Sequence, residues 1–100
     1  MQIIDKNVEF SRRAEIALNR LSEQDRNRVL KNIEKVFALG LKPPFAAKLK
    51  GIKNTFLVRA GRDLRIIFLV ETEFVRIIDI VRHDKLKQIS LTNRSQGGNS

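Results

Sequence analysis

Between residues 55 and 81 the chain carries three runs rich in β-branched and aromatic side chains, 55–60, 64–70 and 74–81. Only Gly61-Arg62-Asp63 and Glu71-Thr72-Glu73 separate them. A three-residue gap cannot hold a crossover connection, so neighbouring runs must pair antiparallel through tight hairpins. The result is a meander whose apolar face the rest of the chain has to cover.

Side chains alternate along a strand, so register decides which residues meet. Phe56, Val58 and Ala60 form one apolar set, and Leu64, Ile66 and Phe68 another. A three-residue turn at 61–63 puts both sets on the core side by setting Ala60 opposite Leu64. Arg59 then stands opposite Arg65 on the other face. A three-residue turn at 71–73 sets Val70 opposite Phe74, and therefore Arg65 opposite Asp79, a counter-charge for two facing guanidinium groups. His83 continues the same face. This register leaves Arg76 on the core side near the sheet end, where its long stem can still reach water. The opposite parity frees Arg76 but turns Asp79 inward. Burying a carboxylate costs more, so the first register is expected.

The N-terminal half supplies the cover. Residues 2–4 are a candidate edge strand. Asn7 is a candidate helix cap, and within 8–21 the residues Phe10, Ala14, Ala17, Leu18 and Leu21 recur at helical spacing. The Ser22-x-x-Asp25 pattern starts a second helix. Its apolar face is Val29, Leu30, Ile33, Val36 and Phe37, and Gly40 with Pro43-Pro44 end it. Two helices joined at Ser22 form an αα-hairpin. Residues 45–50 read as weakly extended, 51–54 as a turn, and 83–91 as a short helix or irregular segment. Residues 93–100 have nothing to bury, so the expectation is one α+β domain over 1–92 and a mobile tail over 93–100.

Composition narrows the function. With no cysteine and one histidine, thiolate chemistry, disulfides and a dedicated transition-metal site are not expected, nor is a cofactor. No stretch approaches the roughly 18 apolar residues of a membrane span, and the default expectation is a cytoplasmic protein. The net charge is +9. Residues 1–40 hold 8 basic and 6 acidic residues, whereas 41–100 hold 12 and 5. The excess therefore lies with the strands, as on a surface that faces phosphate or an acidic partner.

Arginine suits such a role because its planar guanidinium donates paired hydrogen bonds to phosphate oxygens. Arg59 and Arg65 aimed at one point could hold a scissile phosphate and stabilise its transition-state charge. Histidine is the side chain that titrates nearest neutrality, which qualifies His83 to donate or accept a proton. Without a metal site, RNA is a better substrate than DNA, because its 2′-hydroxyl is an internal nucleophile. Each residue also has an ordinary alternative. Arg65 could be a structural partner of Asp79, Arg59 and Arg62 solvated hairpin charges, and His83 a plain surface residue. Lys48, Lys50 and Lys53 could simply solvate a loop.

The order KLKG, an aromatic-led strand ending in Arg59, a glycine turn, DLRIIF, and an apolar strand ending in RHDK resembles the RelE/ParE superfamily. These are the toxins of type II toxin–antitoxin systems. The preceding αα-hairpin is similar as well, so the resemblance spans roughly residues 1–89. It implies two helices on one face of a twisted, mainly antiparallel sheet, with an open cleft opposite. It also implies metal-independent cleavage of messenger RNA on the ribosome, with Arg65, His83 and Arg59 catalytic. Lys48, Lys50, Lys53, Arg62, Arg82, Lys85 and Lys87 would bind RNA phosphates. The implied partner is an acidic, helical antitoxin, in a toxin–antitoxin hetero-oligomer. One position departs: Ile89 stands where active members commonly carry Tyr or His, and the chain has no tyrosine. Proton transfer would then fall to His83 with Lys85 or Lys87. The alternatives are a ParE-like gyrase inhibitor, or a member that mainly binds its antitoxin.

Overall fold

Ser11 divides the N-terminal segment into a strand and a helix. In the computed structural model, which describes residues 7–41 and 45–83, its hydroxyl accepts the Ala14 N–H at 3.0 Å and so caps helix α1 (Arg12–Arg20). The residues before it, expected in the helix with Asn7 as cap, instead form strand β1 (Asn7–Phe10). Tertiary pairing overrides the helical spacing here, because β1 finds a parallel partner near the other end of the sequence. The strand expected at residues 2–4 and the tail at 93–100 lie outside the described residues.

A second serine repeats the device. Ser22 accepts the Asp25 N–H at 3.1 Å and opens helix α2 (Glu23–Leu39). Gly40, at φ 83°, closes it, a conformation that glycine adopts without a Cβ clash. Val29, Ile33 and Val36 are buried along one stripe and Phe37 packs beside them, as the spacing predicts. Leu30 is instead 38% exposed at the edge of that stripe.

Strands β2 (Ala46–Lys48), β3 (Thr55–Arg59), β4 (Leu64–Val70) and β5 (Phe74–Arg82) complete a five-stranded sheet in the order β1-β5-β4-β3-β2. Only β1 with β5 is parallel. Both helices contribute to one core with Val58, Ala60, Leu64, Ile66, Phe68, Val70, Val75, Ile77 and Ile80. They therefore cover one face of the sheet. The architecture is the α+β arrangement expected, two helices on one face of a mainly antiparallel sheet.

The first hairpin has the predicted register: the Ala60 N–H donates to the Leu64 carbonyl at 2.9 Å, and Arg59 stands opposite Arg65. The second does not. Its connection spans four residues, with Val70 opposite Val75 and the Glu71 N–H donating to the Phe74 carbonyl at 2.9 Å. One extra residue in the turn reverses the parity of β5 up to Ile77. A β-bulge then inserts Ile78, which has no partner across the ladder, between the pairs Phe68–Ile77 and Ile67–Asp79. The second insertion restores the expected parity.

The bulge removes the conflict that the sequence posed. Before it, Arg76 is on the face away from the helices, where it meets Glu9 across β1 at 2.9 Å. After it, Asp79 is on that face too. A regular strand could satisfy only one of them. The cost is a displaced counter-charge: Asp79 is opposite Ile67, and Arg65 is opposite Val81.

Ser11 also holds the bulge. Its backbone N–H donates to the Ile77 carbonyl at 3.0 Å, and its hydroxyl donates to the carbonyl of Ile78. Ser11→Ala is expected to lose a helix cap and to leave the Ile78 carbonyl without that donor. The expected loss is about 2 kcal/mol in urea unfolding, whereas Ser22→Ala, a cap alone, should lose about 1. Equal losses would show that the Ile78 bond contributes nothing.

Candidate active site

The 61–63 turn collects side chains from three strand ends. Arg59 enters it, Arg62 is at its tip, and Arg65 leaves it and folds back. The Arg65 Nη1 donates to the carbonyls of Leu64, Arg62 and Gly61 at 2.9, 3.2 and 3.4 Å. Gly61, at φ 106°, gives the turn a conformation that a side chain would strain. β5 is tied to the same turn, because the His83 N–H donates to the Asp63 carbonyl at 2.7 Å. Arg59, Arg62, Arg65 and the backbone of His83 are thus placed at one end of the sheet.

Arg65 is buried (6% exposed) while Arg59 is exposed. Burial, and then the Arg59 charge, push the Arg65 pKa down, and Asp63 opposes this only in part. An arginine remains a cation under these influences, so the turn holds a positive charge in an unfavourable setting. Among the described residues, neither Arg59 nor Arg65 has a carboxylate within 4 Å. Asp79, expected to serve both, accepts its neighbour Ile80's N–H at 2.8 Å and lies 4.0 Å from Arg13 of α1. The Arg65–Asp79 pair does not form, because the longer turn and the bulge together slide β5 by two residues. What is left is a cationic pair that an anion would relieve. Only Nη1 of Arg65 bonds to the turn, so its Nε–Nη2 edge, the edge that grips phosphate in paired hydrogen bonds, has no protein acceptor among the described residues.

The other sequence-derived residues divide. Arg82 is opposite Leu64 on the helix side, and its Nη2 lies 3.8 Å from Asp25 near the start of α2. Lys48, Lys50 and Lys53 flank the opposite end of β3, where the Leu49 N–H donates to Thr55 at 2.9 Å. Four strand steps, about 13 Å, separate that end from Arg59, so the structure makes two basic clusters. Lys85, Lys87 and Ile89 lie outside the described residues. The carbonyls that clamp Arg65 had no sequence signal, since any residue supplies one.

The sequence matches no family model and no curated protein; the backbone is more informative. An E. coli RelE mutant in the free state superposes at a TM-score of 0.70 over 86% of this chain and 92% of that one, with 17% identity. This is the RelE-like toxin fold. The YoeB dimer from Staphylococcus aureus shares it at a TM-score of 0.68 and 15% identity, over 79% of this chain and 98% of YoeB. The E. coli DinJ–YafQ toxin–antitoxin complex shares it at 0.66 and 17%, over 82% and 97%. RelE-like chains therefore match this one over nearly their whole length. At such identities the likeness is one of architecture, and the chemistry has to be argued from the side chains placed on it.

Proposed function

We propose that this chain is the toxin of a type II toxin–antitoxin pair and cleaves messenger RNA on the ribosome without a metal. The observation that carries the reading is the opposed Arg59–Arg65 pair, which has no carboxylate within 4 Å among the described residues and shares its sheet end with Arg62 and His83. The RelE-like fold supports the choice of toxin class.

In the proposed mechanism the Nε–Nη2 edge of Arg65 grips the scissile phosphate. The turn carbonyls hold the guanidinium in place, so the interaction needs little reorganisation as charge builds. Arg59 supplies the second positive charge. The ribose 2′-hydroxyl of the preceding nucleotide attacks phosphorus, and the bond to the 5′-oxygen breaks, leaving a cyclic phosphate and a 5′-hydroxyl. His83 moves a proton at one of the two oxygens. Ile89 offers no proton, which concentrates that task on His83.

RelE, YafQ and YoeB occur in solved complexes with RelB, DinJ and YefM, and this chain is read as having an antitoxin of the same kind. A net charge of +9 favours an acidic one by electrostatic complementarity. The gyrase-directed reading draws nothing from these neighbours.

Toeprinting of a message on ribosomes with the purified protein tests the reading. New 3′ ends should appear within the ribosome-bound message and not on the same RNA alone. Intact message, with DNA-damage signalling on expression, would transfer the chain to the gyrase class.

A further inference from the structure

A second basic feature lies on the helix side of the same hairpin. Asn32 and Lys35 of α2, Phe45, and Arg59, Gly61 and Arg62 line an open groove of about 640 Å³. Three of the six are cations and none is a carboxylate. The Lys35 ammonium lies 4.8 Å from the centre of the Phe45 ring, so the groove joins positive charge to an aromatic surface. Asn32 donates its amide to the Arg28 carbonyl at 2.7 Å, which fixes the side chain and leaves its oxygen as an acceptor. Arg59 lines this groove and also stands opposite Arg65 on the sheet.

We propose that the groove binds the nucleotide flanking the cleaved phosphate in the same single-stranded RNA. Arg62 takes its phosphate, Lys35 adds charge, Arg59 stands between this groove and the scissile phosphate, and the base lies against Phe45. Cations that track a backbone beside an aromatic platform are the pairing that single-stranded nucleic acids use, and the volume suits one nucleotide. An acidic peptide would use the cations but has no need of the ring. The choice of RNA rests on the nuclease reading above.

Anisotropy of a labelled single-stranded RNA whose 2′-hydroxyls are blocked measures binding without cleavage, so its outcome is independent of the toeprint. Phe45→Leu keeps an apolar side chain but removes the ring, and should weaken binding about fivefold or more. Lys35→Gln should weaken it and reduce the salt slope by about 0.7, one phosphate contact on a single strand. A poly-glutamate peptide of equal charge should respond to Lys35→Gln but not to Phe45→Leu. Binding of both folded variants within twofold of wild type would overturn the proposal. So would equal losses for RNA and poly-glutamate in Phe45→Leu, which would give the groove to an acidic polypeptide.

Discussion

Arg65→Ala is expected to lose ribosome-dependent cleavage by a factor of about 10² to 10³, the cost of removing one preorganised donor from a developing oxyanion. The structure adds a second expectation. Arg65 also clamps the Gly61, Arg62 and Leu64 carbonyls, so the variant should be less stable by about 1–3 kcal/mol. Loss of toxicity alone therefore cannot separate chemistry from folding. Toeprinting has to be accompanied by urea unfolding of the same protein, at a temperature where both variants are fully folded. Arg65→Lys helps to divide the roles: it keeps the charge but cannot clamp the turn and present a free paired edge at once. It should recover a minor part of the cleavage. Undiminished cleavage by folded Arg65→Ala would reduce Arg65 to a turn clamp.

Phe68→Ala is expected to have the largest effect on stability. Phe68 is near the middle of β4, the middle strand of the sheet, with no exposed surface, and is the largest of the fully buried side chains among the described residues. Truncating a buried phenylalanine costs about 3–5 kcal/mol, combining lost transfer energy with a cavity that the neighbours only partly fill. Domains of this size have about 5–15 kcal/mol in total, so the urea midpoint should fall by roughly 2 M. Phe68→Leu, which keeps most of the volume, should lose less than half as much. A drop under about 1 kcal/mol for the alanine variant would mean that the β4 centre repacks freely, contrary to a core of interlocking β-branched neighbours.

The 55–70 hairpin was legible because both of its strands carry unbroken apolar sets, which allow one parity only. From that parity followed the facing of Arg59 and Arg65, the heart of the candidate site. The second hairpin was not legible. Arg76 and Asp79 are an odd number of residues apart, yet both need the face away from the helices, and only an inserted residue reconciles them. The insertion at Ile78 is held by Ser11, a contact remote in sequence that has no local signature. The same long reach hid β1: Val8 and Phe10 satisfy a helical stripe on paper, and only a partner in β5 makes them a strand. Lys48, Lys50 and Lys53 look adjacent to the arginines in sequence, but an intervening strand carries them to the opposite end of the sheet.

The pairing of β1 with β5 also dictates an order of assembly. The helices and the three-strand meander can form from nearby segments, but β1 cannot dock until β5 has been made and laid beside β4. Closing so long a loop is slow compared with forming a hairpin. Ser11, which caps α1 and grips the bulge, is completed in that same late step. His83 directly follows β5, so the candidate site matures last as well. A nascent chain would thus carry its arginines before it carries an assembled centre, and inactivity during synthesis would follow from topology, before any partner arrives.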